Sequence, residues 1–282
     1  MSSGLAWAFP QGREHVVLTV SSVAAFLQLV GPPVPASSGA ISEHDLEELS
    51  GMSSQDQATR LLEKAINHYQ GAGEEIAKRL DSWTAKIQST PELERLTNTA
   101  YFSNDLRVRA LALEIWLVRD NIQKTPAAVE GLIRDAGSAD GHQYFRLSTL
   151  GILGNRGVEP GKVFNTLVSF VHDPAGEMRA AAINGLGLLG TENTIAPLLE
   201  VLRYDASLDL RERAACNLAD SGMLSREFRQ KAVPELIRFG QDQTLDATTR
   251  KWVYQALREI AQERLPDDAA AWANWFASRP AR

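Results

Sequence analysis

The sequence has little cysteine and little histidine, and both shortages limit the chemistry it can carry. A single cysteine, Cys216, in 282 residues excludes an intramolecular disulfide and any zinc site built from several cysteines. The five histidines lie at least 24 positions apart, so the H-x-x-x-H and H-E-x-x-H spacings of zinc enzymes do not occur. A nucleophile turn of the G-x-S-x-G type is also missing. We therefore predict no catalytic, cofactor-binding or metal-binding residue, and a protein that is not an enzyme.

Positive charge is scarce as well. The formal net charge is −6 at pH 7, and residues 41–100 carry 11 acidic and 6 basic side chains. Residues 101–282 are nearly neutral, with 23 acidic and 22 basic side chains. Proteins that bind nucleic acids usually present a basic stripe, because neutralisation of phosphates dominates their affinity. The charge pattern argues against a nucleic-acid partner, and we predict that the partner is another protein.

The most apolar run is the 15-residue stretch Val16–Val30. It is too short, and too rich in Ser, Thr and Gln, for a membrane span. Arg13 before it and the Pro/Ser/Ala-rich residues after it are typical of a secretory signal. We predict an exported protein, periplasmic or secreted, in which residues 1–40 form a signal peptide or a disordered N-terminal segment. The alternative is a cytoplasmic protein with an extra N-terminal helix.

One sequence motif recurs between residues 100 and 260. It consists of an acidic residue, then an apolar residue directly followed by arginine, then a run of small residues. The clear copies pair Asp105 with Arg109, Asp173 with Arg179 and Asp205 with Arg211, and weaker copies are anchored at Arg146 and Arg250. The five anchor arginines are 37, 33, 32 and 39 residues apart. A period of this length suits a pair of helices per unit, stacked into a solenoid.

Each unit divides into a first helix rich in small residues and a second helix rich in large apolar residues. In the clearest unit we predict a first helix at Glu177–Leu189, ended by Gly190, and a second helix at Glu192–Leu202. Small side chains let neighbouring first helices approach closely, and this asymmetry predicts a curved stack. The predicted organisation is an N-terminal helical capping region at 41–102, the repeats at 103–265 and a C-terminal capping helix at 266–282.

Two small-residue patterns have structural interpretations. The segment from Gly185 through Gly187 to Gly190 matches the dinucleotide fingerprint G-x-G-x-x-G, which needs a strand before it and a helix opening at it. Here the preceding residues have a helical pattern. The glycines are therefore predicted to lie in the last turns of a helix, where they permit close packing. Cys216 lies in another small-residue run and is predicted to be buried.

Three aromatic residues stand near the C-terminus. Trp272, Trp275 and Phe276 recur at i, i+3 and i+4, after a helix start at Asp267-Asp268. A ligand-binding aromatic box is one interpretation of this group. We favour a hydrophobic cap, because the last unit of a solenoid has an apolar face without a following neighbour.

The acid, the apolar-arginine pair, the alanine-rich stretch and the proline-containing second helix resemble the HEAT repeats, including the HEAT-like subtype named after phycobilisome lyases. This resemblance covers residues 103–265 and implies an all-α fold, a right-handed α-solenoid. It also implies a ladder in which aspartate and arginine tie neighbouring repeats together, such as Asp173 with Arg179 and Asp205 with Arg211. The predicted ladder residues are Asp105, Arg109, Arg146, Asp173, Arg179, Asp205, Arg211 and Arg250. The last copy departs from the pattern, with Thr249 where an aliphatic residue is usual.

The resemblance implies function only in outline, since such repeats serve enzymes, adaptors and transport factors alike. Most such stacks bind a macromolecule on a concave surface lined by second helices. We therefore predict a non-catalytic, bacterial protein-interaction scaffold or adaptor without a cofactor. The alternatives are a lyase-type enzyme or lyase accessory, as in the bilin lyases of the subtype, and a purely structural accessory subunit. The anchor arginines also suit a phosphate-binding ladder, but their position beside an acid favours structural pairing.

Overall fold

A computed structural model describes residues 39–138, 141–219 and 222–279 of the chain. These residues form fourteen α-helices, and no β-strand occurs among them apart from one isolated bridge between Ala40 and Gln70. The helices are α1 (Glu43–Ser50), α2 (Ser54–Ile66), α3 (Ala72–Trp83), α4 (Pro91–Tyr101), α5 (Leu106–Arg119), α6 (Pro126–Asp135), α7 (Gln143–Asn155), α8 (Pro160–Ser169), α9 (Gly176–Leu189), α10 (Ile195–Tyr204), α11 (Leu208–Leu218), α12 (Arg226–Gln241), α13 (Ala247–Ala261) and α14 (Ala269–Ala277).

Local sequence explains where several of these helices begin and end. Thr90 and Thr125 precede α4 and α6, and each accepts a hydrogen bond from a backbone N–H of the first turn. A proline follows each threonine at the first helical position, where its fixed φ is favourable and its missing N–H would have no helical partner. Gly190 ends α9 in the left-handed conformation with φ 59°, which confirms the predicted helix end.

The repeat unit predicted from the sequence is present. The first helix α9 begins one residue earlier than predicted, at Gly176. The second helix α10 begins at Ile195 because Glu192–Thr194 forms a 3₁₀ turn before it. First helices (α5, α7, α9, α11 and α13) and second helices (α6, α8, α10 and α12) alternate along the chain and pack on their neighbours. The fold is an all-α solenoid, as predicted, and its right-handedness stays a prediction.

Helix α5 contributes to both hydrophobic clusters of the described residues. Leu106 and Leu113 belong to the cluster of buried side chains that extends to the C-terminal helices. Val108 and Ile115, on other sides of the same helix, belong to the cluster that fills the N-terminal helices. Helix α5 therefore joins the N-terminal helical region to the repeats.

The first helices pack most closely. Gly151 of α7 lies so near α9 that a Cβ atom at position 151 would be 2.4 Å from the carbonyl oxygen of Gly185. Helix α5 also contacts α9 directly, although these helices belong to the first and third units. This contact joins first helices that lie two units apart. The expectation that second helices line the concave surface stays a prediction.

The last helix takes the position of a second helix. Helix α14 packs against α12, as α12 packs against α10. Trp272 is completely buried, and its ring meets that of the half-buried Trp275 edge-on, with 5.5 Å between centroids. Phe276 exposes 40% of its surface. The cap therefore depends mainly on Trp272, and Phe276 does not belong to it because its side of α14 faces solvent.

Candidate interaction site on the first helices

An aspartate–arginine ladder runs along the starts of the later first helices. The Arg179 Nε atom lies 2.8 Å from Asp205 Oδ2, and Nη1 donates to the backbone carbonyl of Asp173 at 2.9 Å. Arg211 repeats this arrangement. Its Nη1 lies 2.8 Å from Asp246 Oδ2, and its Nε donates to the Asp205 carbonyl at 2.5 Å. Each arginine holds the loop of its own unit and pairs with the carboxylate of the next unit.

This register differs from the pairing that the resemblance implied. Arg179 and Arg211 contact the aspartate of their own unit through its backbone carbonyl, not through its carboxylate. The carboxylates of Asp173 and Asp205 accept hydrogen bonds at 2.8 Å from backbone N–H groups two residues further on. Such turns shape the loop before each first helix. The pairing of Arg179 with Asp173 is therefore corrected to Arg179 with Asp205.

The first and last anchor arginines lie outside this pattern. Asp105 accepts a hydrogen bond from the Arg107 backbone and pairs with the Arg107 side chain at 2.9 Å, rather than with Arg109. Arg250 donates to backbone carbonyls of the loop before its own helix. Arg146 is half buried in α7. Among the described residues, the ladder of carboxylates and guanidinium groups joins the third, fourth and fifth units.

Thr249, which departs from the repeat motif, takes part in the ladder. Thr249 is completely buried, and its hydroxyl donates to Asp246 Oδ2 at 2.6 Å. The same hydroxyl accepts a hydrogen bond from Arg211 Nη1 at 3.2 Å. A threonine therefore supplies a polar link where an aliphatic side chain would supply only packing.

We expect the loss of Arg179 to destabilise the fold more than the loss of Arg211. The Asp205 side chain, which Arg179 pairs with, is only 5% exposed, whereas the Asp246 side chain is 42% exposed. A buried polar group without its partner costs about 1–3 kcal/mol, more than a group that water can reach. Arg179→Ala should lower the free energy of unfolding in urea by that amount, and Arg211→Ala by less. Equal losses would contradict the role of burial.

A second polar cluster connects four first helices. Arg109, Tyr144, Asn184 and Arg213 lie on α5, α7, α9 and α11, and we call them the arginine cluster. The Arg109 Nη1 atom donates to Tyr144 Oη at 2.8 Å and lies 3.5 Å from Asn184 Oδ1. The Arg213 Nη1 atom lies 3.2 Å from Asn184 Oδ1 and 3.5 Å from Tyr144 Oη. The Asn184 side-chain amide also donates to Tyr144 Oη. Two guanidinium groups therefore share the same two oxygen atoms.

The arginine cluster holds two positive charges, and its other two members, Tyr144 and Asn184, are neutral. Within the described part of the chain, neither guanidinium group forms an ion pair with an acid. Arg109 Nε donates to the Ser103 carbonyl at 2.5 Å, whereas Arg213 Nε is buried without an acceptor among the same residues. Burial lowers the pKa of Arg109, and the charge of Arg213 lowers it further. Arginine remains protonated in proteins, so both charges persist.

Aromatic side chains border the arginine cluster. The Tyr101 ring meets the Tyr144 ring edge-on, with 6.0 Å between centroids, and Phe102 meets Tyr101 in the same way at 5.3 Å. Burial raises the pKa of Tyr101, which keeps its hydroxyl protonated. Phe102 exposes 76% of its surface. The cluster therefore lies beside an apolar surface that is accessible to a partner.

Sequence reasoning found only one member of this cluster. Arg109 was singled out as a ladder residue, but Tyr144, Asn184 and Arg213 were not. Arg213 follows Arg211 by two positions, which is about 200° around an α-helix. It therefore points away from the ladder and toward α7 and α9. The position of Arg213 relative to Arg211 around the helix is the feature of the sequence that could have indicated this cluster.

A buried carboxylate ties α5 to α7. Glu114 has no exposed surface, and its carboxylate pairs with Lys124 Nζ at 2.9 Å and with Arg156 Nε. The side chains of Lys124 and Arg156 are 30% and 35% exposed. A carboxylate removed from water needs both charge compensation and hydrogen bonds. We therefore assign this group a structural role.

The remaining sequence candidates show no site chemistry. Gly185 and Gly187 lie in the last turns of α9 against side chains of neighbouring helices, as predicted. Cys216 is exposed on α11, so the prediction that it is buried is wrong. No group of three or more His, Cys, Asp or Glu residues that could hold a metal ion occurs within the described ranges. None of the helices in those ranges is long and apolar enough to cross a membrane. The Val16–Val30 stretch lies outside the described residues.

Comparison with known proteins gives a family match over part of the chain and two similar structures. The model of the family described as HEAT repeats matches residues 125–219, from the start of α6 to the end of α11. Crystal structures of two engineered proteins from the Northeast Structural Genomics Consortium are similar to the chain. The first is 15% identical with a TM-score of 0.34, over 77% of this chain and 97% of the engineered protein. The second is 15% identical with a TM-score of 0.35, over 79% of this chain and 61% of the engineered protein. No curated protein matches the chain.

Proposed function

We propose that this chain, whose residues 125–219 match the model of the HEAT repeats, is a non-catalytic scaffold that binds another protein. Stacked helix pairs provide an extended surface whose residues come from many units. HEAT repeats commonly mediate protein interactions, and the helices from α5 onward form such a stack. The fold alone does not locate the docking surface, so exposed side chains must do so.

The docking surface that we propose lies at the junctions between units. Phe102 is 76% exposed just before α5, and Tyr204 is 69% exposed at the end of α10, just before α11. Leu208, at the start of α11, is 46% exposed. We call these three residues the junction edge. Equivalent positions of a solenoid lie along one side, and exposed aromatic residues are typical of protein interfaces. The recurrence of an exposed aromatic residue at the same point of the repeat is the observation that carries this proposal.

We expect the double variant Phe102→Ala/Tyr204→Ala to lose the partner while keeping the fold. Truncation of an aromatic anchor at an interface often weakens binding by more than 1 kcal/mol, and about 1.4 kcal/mol corresponds to a tenfold loss of affinity. The full chain would be used to capture proteins from the native organism, followed by binding measurements with the purified partner. Phe276→Ala is the matched control, since Phe276 is exposed but lies in α14.

The same capture separates the scaffold from its alternatives. A partner that binds the wild type and the Phe276→Ala control, but binds the double variant at least tenfold more weakly, would support the scaffold. Equal binding by all three proteins would remove the junction edge from the interface. Covalent transfer of an added bilin to a pigment protein would favour a lyase instead.

Export is a separate proposal. It rests on the composition of Val16–Val30 and of the Pro/Ser/Ala-rich residues that follow, none of which lies within the described ranges. N-terminal sequencing of the native protein tests it. Recovery of an intact Met1 or Ser2 would contradict cleavage of a signal peptide.

A further inference from the structure

Hydrogen-bond donors outnumber acceptors in the arginine cluster. Three donors, one each from Arg109, Arg213 and Asn184, surround Tyr144 Oη. A phenolic oxygen has two lone pairs and carries a hydrogen of its own that also needs an acceptor. The Asn184 Oδ1 atom already faces both guanidinium groups. Arg213 Nε adds a further buried donor without an acceptor in the described residues.

The arginine cluster also carries an excess of positive charge. The Nη1 atoms of Arg109 and Arg213 each lie within 3.5 Å of the same two oxygens, so two like charges are held close together. Two anchor arginines pair with acids instead, Arg179 with Asp205 and Arg211 with Asp246. Among the described residues, the side chains that hydrogen-bond to these two arginines are neutral. Such an arrangement is unfavourable in isolation and complementary to an anion.

We propose that the arginine cluster binds a phosphate group. The two guanidinium groups supply planar N–H donors to its oxygens, and the Tyr144 hydroxyl donates its hydrogen. A phosphate group carries about 1.5 to 2 negative charges at pH 7 and therefore balances the two arginines better than a carboxylate, which carries one. Tyr101 and Phe102 border this site, and Phe102 also belongs to the junction edge. Phosphate binding is measured without a partner protein, so failure of this proposal and failure of the scaffold function are distinguishable.

Thermal unfolding and calorimetric titration of the full chain test this site with inorganic phosphate as the probe. We expect phosphate to raise the melting temperature more than acetate or chloride at equal ionic strength, because ligands that bind the folded state stabilise it. Arg213→Gln should weaken phosphate binding at least tenfold, and Arg213→Lys by less, since lysine keeps the charge without the planar fork. Arg264→Gln is the matched control, because Arg264 is exposed in the loop after α13.

The fold of the key variant is checked independently. In chloride buffer, Arg213→Gln should melt at or above the temperature of the wild type, because it removes one of two neighbouring like charges. Equal responses of the wild type to phosphate and acetate would overturn the proposal, as would an unchanged response of Arg213→Gln. Titration with O-phosphoserine identifies the source of the group. Tighter binding than inorganic phosphate assigns a phosphorylated side chain, and equal or weaker binding assigns the free anion.

Discussion

Replacing Lys124 and Arg156 together with methionine is expected to lower the free energy of unfolding by about 3–5 kcal/mol, the range for a buried ion pair that loses a partner. Glu114 is completely buried in α5, and these two residues are its cationic partners. The double variant leaves the carboxylate out of water without compensation. Either single variant should lose less, because one cation remains. Urea unfolding followed by circular dichroism measures the change.

A third substitution distinguishes burial of charge from loss of packing. Adding Glu114→Leu to the double variant removes the uncompensated charge, and apolar replacement of a buried ion pair is often neutral or stabilising. The triple variant should therefore regain most of the lost stability. Lys162→Met is the control, because the pair of Lys162 with Glu130 is exposed on both sides and should contribute nothing measurable. A triple variant as unstable as the double variant would show that the methionines damage packing.

The helix pairs could be predicted because their determinants are local. The spacing of the anchor arginines, the small residues of the first helices and Gly190 at a helix end all act within a few turns of chain. The register of the ladder could not be predicted in the same way. Arg179 has aspartates on both sides, and only the packing of α9 against α11 decides that Asp205 supplies the carboxylate.

The arginine cluster could not be predicted from the sequence for a related reason. Its hydrogen-bonded members are separated by 29 to 75 positions in the chain and come from four units. A repeat pattern describes contacts between neighbouring units, whereas the approach of α5 to α9 joins units that are not neighbours. The small residues predict a close approach of first helices, but not which helices meet. Arg109 therefore carried the motif of a ladder residue and took a different partner, Tyr144.

Trp272→Ala is expected to lower the free energy of unfolding by about 3–5 kcal/mol, the range for truncation of a large aromatic side chain in a core. Trp272 has no exposed surface, and its indole N–H donates to the Pro266 carbonyl at 3.0 Å. Removing it leaves a cavity between α14 and α12 and removes one of the two hydrogen bonds that the Pro266 carbonyl accepts. Phe276→Ala should change stability little, because Phe276 is exposed.

Truncation of the chain after Leu265 extends this prediction to the whole of α14. It should expose the apolar face of α12 that α14 covers, lower the melting temperature at least as much as Trp272→Ala, and promote aggregation. Light scattering together with thermal unfolding measures both effects. The two interpretations of the C-terminal aromatic residues, a hydrophobic cap and a ligand-binding box, predict opposite results for this truncation. A truncated protein that stays monomeric and equally stable, but no longer binds its partner, would show that Trp272 and Trp275 form a binding site and not a cap.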